Sequence, residues 1–208
     1  MASQLRIDLE LIRKTVIIGL FADDALYDKL VLKGGNALSL VHGIGNRTSL
    51  DIDLSLAAEI SRDELEERAQ RALTDRFDSL GLSVFDFRLL PVPKSPTKNS
   101  DVQAGDLGYR LEFKLEQLDG KVIGGLDERR RQAVVLGPNQ QRTFRVEISR
   151  NEYCAAKMRV EFDEYLISVY SPEMIAIEKL RALVNNYRLT LGTATRHQER
   201  ATSTTSTR

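Results

Sequence analysis

Residues 30–56 read LVLKGGNALSLVHGIGNRTSLDIDLSL, and this stretch restricts the fold more than any other. An apolar run ends in Lys33-Gly34-Gly35, a helix-like segment follows, and Asp51-Ile52-Asp53-Leu54 closes the unit. In a strand, residues two apart share a face, so Asp51 and Asp53 project one way while Ile52 and Leu54 point into the core. Adjacent like charges raise each other's pKa and resist burial. A hard divalent cation removes that conflict, because Mg²⁺ takes oxygen ligands and bridges carboxylates to substrate phosphates. Gly34 and Gly35 have no side chains and let backbone N–H groups approach a phosphate. A helix opening at Asn36 would aim its positive end at the same place.

Gly34-Gly35 followed by Asp51-hydrophobic-Asp53-hydrophobic resembles the signature of the DNA polymerase beta-like nucleotidyltransferases. The longer string is narrower: LKGGNAL followed by Arg47-Thr48-Ser49-Leu50-Asp51-Ile52-Asp53-Leu54 resembles the AbiEii/AbiGii toxin branch of that superfamily. Gly-Gly or Asp-X-Asp alone is common by chance; the combined string is far more specific.

The 208 residues suffice for one domain with a substantial core, or for one domain plus a small appendage. Hydrophobic residues at 42% and charged residues at 29% fit a soluble globular chain. No apolar run approaches the ~20 residues that span a bilayer. The opening MASQLRIDLELIRK carries acidic residues and lacks the apolar core of a signal peptide, so the expectation is a cytoplasmic protein with no membrane partner. Cys154 is the only cysteine, which excludes an intrachain disulfide and a thiolate metal cluster. His42 and His197 lack zinc-like spacing. A formal net charge of zero gives no global field for nucleic acid, although a local basic patch would suffice.

Along the chain, Leu5, Leu9, Ile12, Val16 and Leu20 recur at helical spacing and predict an amphipathic helix. Residues 22–29 read as a short helix or turn whose charges Asp23, Asp24, Asp28 and Lys29 form a solvated face. A strand over 30–32 and a helix over 36–42 follow, the latter ended by Gly43 and Gly45. Ser61-Arg62-Asp63-Glu64 is a capping box with Ile60 and Leu65 as its staple, opening a helix that presents Leu65, Ala69, Ala72, Leu73 and Phe77. Glu64, Glu66 and Glu67 then form its outer surface. A strand covers 82–90, and Pro91, Pro93 and Pro96 lead into a polar loop reaching about Gly108. Tyr109, Leu111, Phe113 and Leu115 alternate with charged residues as a half-exposed strand. Residues 119–138, with Gly120, Gly124, Gly125 and the run Arg129-Arg130-Arg131, read as a solvated connection. Phe144, Val146 and Ile148 mark another strand, residues 169–171 are strand-like, and Ser171-Pro172-Glu173 opens a helix with Ile177, Leu180 and Val184 on one face. The fold class expected is α/β (α+β): a mixed twisted sheet with helices packed mainly on one side.

The resemblance implies more than the spacing does. It implies a third carboxylate from a neighbouring strand, with Glu147 in RVEIS as first choice and Glu112 in RLEFK as competitor. Spacing alone leaves Arg47 and Ser49 as loop residues; the resemblance makes them site elements beside Lys33, Gly34, Gly35 and Asn36, which would bind the nucleotide phosphates. SPEMIAIEKLRAL resembles the branch's third motif, whose lysine, Lys179 here, would offset charge on the leaving pyrophosphate. Asp51, Asp53 and Glu147 would hold two Mg²⁺ ions, with Mn²⁺ as a substitute. The implied function is transfer of an NMP from an NTP to a hydroxyl, as the toxin of a toxin-antitoxin or phage-defence system opposed by a cognate antitoxin. A tRNA or other RNA is the implied acceptor, with a protein hydroxyl or a small molecule left open. The alternative is a catalytically degenerate NTP-binding module of the same fold.

The match has an end. The branch continues into a helical region with a further Arg, Lys or Arg, and Asp motif, whereas here the residues after Tyr187 read RLTLGTATRHQERATSTTSTR. These are Thr-rich and non-periodic, which predicts a nucleotidyltransferase domain over 1–190 and a disordered tail over 191–208.

Overall fold

The computed structural model describes residues 8–44, 51–92, 108–118, 124–136 and 140–184. It divides into two compact units, 1–170 and 171–208. The first holds helices α1 (Leu9–Ala22), α2 (Asp24–Tyr27), α3 (Gly34–Asn36), α4 (Arg62–Asp78) and α5 (Leu126–Gln132). Its strands are β1 (Leu30–Lys33), β2 (Ile52–Leu56), β3 (Leu82–Val92), β4 (Gly108–Gln117), β5 (Phe144–Ser149), β6 (Met158–Phe162) and β7 (Tyr165–Val169).

The seven strands form one mixed sheet in the order β3-β4-β5-β2-β1-β7-β6. The β2–β5 and β1–β7 pairs are parallel and the other pairs antiparallel. Period-two alternation gives the sheet two unlike faces. On one, Leu111, Val146 and Ile52 lie in register across β4, β5 and β2, and all three are buried. Phe77 of α4 meets Phe113 at 5.8 Å between centroids, and Phe113 meets Phe144 at 5.4 Å, so α4 covers this apolar face. α1 packs on α4 and on β7. The other face carries the charged residues of β2, β4 and β5.

Local chemistry accounts for the helix starts. Ser61 caps α4 by accepting from the Glu64 N–H at 3.2 Å, but the Glu64 carboxylate pairs with Arg68 at 3.0 Å rather than reaching back, so only half of the capping box forms. Asp23 is no solvated residue. Its carboxylate accepts from the N–H groups of Ala25 and Leu26 and pairs with Arg68 and Arg71, with the side chain 7% exposed. Backbone hydrogen bonding and the two guanidiniums outweigh burial and hold its pKa below the ordinary carboxylate value.

Two further expectations change. The arginine run lies in α5, not in a loop: Arg129 pairs with Glu116, Arg130 with Asp86 and Arg131 with Glu128, so its charge is spent within the protein. Residues 158–169 form a β6–β7 hairpin that turns at Asp163 and Glu164, both at positive φ. In the second unit a helix spans residues 172–184, with the Ser171 hydroxyl accepting from the Met174 N–H at 3.3 Å. Ile177, Leu180 and Val184, the apolar residues expected on one face of this helix, are each more than half exposed. The 191–208 tail and Leu5 lie outside the described residues.

Candidate active site

The site grows out of β1 and its neighbour β2, which run antiparallel, with Lys33 opposite Asp53. β5 lies on the far side of β2 in parallel register, with Glu147 opposite Asp53, and β4 follows with Arg110 opposite Glu147. One cross-strand row on the polar face therefore reads Lys33, Asp53, Glu147, Arg110. The geometry separates the two candidates for the third carboxylate. Glu147 is directly beside Asp53, while Glu112 is one strand further out and pairs with Arg145 at 3.4 Å.

Gly34 follows Lys33 at φ +68°, a conformation that favours glycine. It also leaves no room for a side chain, because a Cβ there would collide with Asp53 Oδ2. The first glycine is thus required both by the turn and by the carboxylate. The helix that follows departs from the expectation: α3 opens at Gly34 rather than Asn36 and widens into a π-helical turn over Ala37–Val41. Such turns are rare and are frequent at functional sites. Asn36 is fully buried, and its Nδ2 donates to the Asp51 carbonyl at 2.7 Å, which fastens the glycine turn to the start of β2.

Asp51 immediately precedes β2, which begins at Ile52. Burial pushes its carboxyl above the ordinary value; Arg145 opposes this, Glu147 adds to it and Arg110 opposes it. Its Oδ1 is buried and has no hydrogen-bond partner. A buried acceptor left in that state costs free energy that a bound cation would recover. Carboxylate oxygens are also the donors a hard divalent ion prefers, so Asp51, Asp53 and Glu147 fit Mg²⁺ chemically. Glu147, however, is engaged by Arg110 at 3.2 Å, and among the described residues no three acidic, histidine or cysteine side chains already converge on a metal position.

Lys33 is held from beneath the row. Its Nζ meets Glu152 Oε2 at 2.6 Å and donates to Ser149 Oγ at 3.0 Å. The Ser55 hydroxyl donates to the same Glu152 oxygen and accepts from the Tyr170 hydroxyl at 3.2 Å. Burial drives the Tyr170 phenol upward, so it stays a donor. Sequence reasoning missed Glu152, Ser55 and Tyr170 as parts of this support. A glutamate in the loop RNEYC looks solvated, and the one available signal was a lysine closing an otherwise apolar strand, which demands a buried counter-charge.

Arg47 and Ser49 lie outside the described residues. Lys179 is on the helix of the second unit, and Gly35 lies in α3 directly after Gly34. No helix among the described residues is long and apolar enough to cross a membrane.

Comparison with known proteins adds an independent line. The family described as nucleotidyl transferase AbiEii toxin, type IV toxin–antitoxin system, matches residues 18–201, which extends beyond Tyr187. No curated protein matches the sequence. Among solved structures, the chain is similar to the nucleotidyltransferase toxin MenT4 from Mycobacterium tuberculosis H37Rv, at 14% identity and a TM-score of 0.43. That alignment covers 83% of this chain and 51% of the other, so the chain spans about half the length of that relative.

Proposed function

The chain belongs to the AbiEii nucleotidyltransferase toxin family, and on that premise we propose that it moves a nucleoside monophosphate from an NTP to a hydroxyl acceptor, with release of pyrophosphate. A tRNA or another RNA is the acceptor in this reading, and a cognate antitoxin opposes the effect. The observation that carries it is the register of Asp53 beside Glu147, with Gly34 stripped of its side chain against the Asp53 carboxylate.

Asp51, Asp53 and Glu147 would hold Mg²⁺, or Mn²⁺ in its place, and the bound cation would acidify the acceptor hydroxyl and neutralise phosphate charge. The left-handed turn at Gly34 brings the chain past Asp53 without obstruction, and the Gly35 N–H is the backbone donor for the triphosphate. Asn36 acts by position, tying that turn to the carbonyl of Asp51. Lys33 acts from its place in the buried network, which keeps a cation next to Asp53 in the row. Arg47, Ser49 and Lys179 enter through the sequence motif, as phosphate-neutralising and orienting groups.

The test is to incubate the chain and its Asp53→Ala variant with each of four α-labelled NTPs, Mg²⁺ and total tRNA, and to measure growth on expression of each. Label transferred by the unsubstituted chain alone, with growth arrest lost in the variant, is the expected result. Toxicity that survives the substitution sinks the catalytic reading. The pairing of Glu147 with Arg110 favours a second reading, a degenerate module that binds NTP without turnover. Calorimetric NTP binding with no label transfer would select it.

A further inference from the structure

Glu147, a member of the proposed metal set, is paired with a half-exposed surface cation. Arg110 Nε donates to Glu147 Oε1 at 3.2 Å, and a second guanidinium nitrogen reaches the same oxygen at 3.2 Å, with the two side chains 32% and 48% exposed. Exposed ion pairs of this kind contribute little, because solvent screens them and two long side chains must be ordered to form them. The backbone of Glu147 is already in register with Asp53, so a change of partner needs only a side-chain rotation. Glu112, another acidic residue of this face, is engaged by Arg145 one strand away.

We propose that Arg110 is a positioning residue that latches Glu147: it competes with the divalent cation for the third carboxylate, and the cation site is completed when Glu147 exchanges Arg110 for the metal. The inference rests on the metal-site reading above and adds a device to it. The latch makes cation affinity lower than the donor set alone would give. The exchange breaks one ion pair and forms one carboxylate–cation contact, with no proton or covalent bond changing hands.

The experiment is Mn²⁺ binding to the full chain by electron paramagnetic resonance, on the unsubstituted protein, Arg110→Gln, Glu147→Gln and the double variant. Arg110→Gln is expected to tighten Mn²⁺ by about two- to fivefold, the range an exposed pair supplies. That gain should vanish in the Glu147→Gln background, because a latch acts only through Glu147 whereas a general field acts regardless. A gain that persists without Glu147, or no gain at all, overturns the latch while leaving the metal site standing. Absence of Mn²⁺ binding from every variant, Arg110→Gln included, overturns the metal-site reading and the latch with it.

Discussion

Lys33 and Arg110 terminate the same cross-strand row, yet they are held in opposite ways. Lys33 meets Glu152 at 2.6 Å with side chains 11% and 6% exposed, inside a network that also contains Ser55, Ser149 and Tyr170. Arg110 meets Glu147 at 3.2 Å in a pair open to solvent. Both charges of the Lys33 pair are desolvated, so breaking the pair is costly. The Arg110 pair carries no such penalty. Asp53 and Glu147 therefore lie between a fixed end and an adjustable one, and the same ion-pair chemistry serves as framework on one side and as a movable contact on the other because burial differs.

The largest effect should separate the two ends directly. Glu152→Ala removes the carboxylate 2.6 Å from the buried Lys33 ammonium, together with the acceptor of the Ser55 hydroxyl, and is expected to cost about 3–5 kcal/mol of unfolding free energy in urea titration. Arg110→Ala should cost about 1 kcal/mol or less by the same measurement. Equal losses at both ends would erase the distinction. Next comes Gly34→Ala, which imposes a methyl where Asp53 Oδ2 lies and an alanine at φ +68°. Displacing a reacting group by roughly an ångström lowers turnover by on the order of 100-fold. NMP transfer should fall accordingly, whereas transfer near the unsubstituted rate would show that Asp53 needs no such fit.

A smaller effect tests whether burial alone makes a pair rigid. Asp86 is as enclosed as Glu152, at 7% exposure, but its partners Arg88 and Arg130 are half-exposed. Hydrogen bonding from Arg130 leads the lowering of its carboxyl from 3.8 to about 2, and burial opposes it. A depressed folded-state pKa stabilises above the unfolded value, and that stability is lost as pH falls from about 4 through about 2. The contribution is about 2 kcal/mol at neutral pH, and Asp86→Asn should flatten the acid limb of the stability profile by that amount. An unchanged limb would place the acid sensitivity elsewhere.

Much of the fold and of the row was legible because its signals are local. Alternation in RLEFK and RVEIS marks β4 and β5, the glycine pair marks the turn, and Ser61 marks the start of α4. What escaped depends on contacts made at a distance. Met158, Arg159 and Glu161 of β6 are all exposed, so the strand shows no alternation, and Asp163-Glu164 turns the hairpin without the glycine that usually announces one. The Arg129-Arg130-Arg131 run looked solvated because Asp86 and Glu116, which neutralise two of its charges, are remote in sequence. Glu152 was invisible for the same reason, and the resemblance that named Asp51, Asp53 and Glu147 gave no hint of what supports Lys33.

The parallel pairing of β2 with β5 also sets an order of events. Asp51 and Asp53 leave the ribosome early, but Glu147 lies beyond α4, β3, β4 and α5, and the chain must close that whole excursion before β5 docks beside β2. Contacts of such long sequence separation form late and slowly. Lys33 likewise waits for Glu152, which emerges only after β5. A nascent chain therefore carries its two aspartates for most of its synthesis without the residues that complete their row, and a fragment ending before residue 144 would keep Lys33 opposite Asp53 but lack Glu147. The row stays unassembled until that part of the chain has been made, and this delay comes from strand order rather than from any inhibitor.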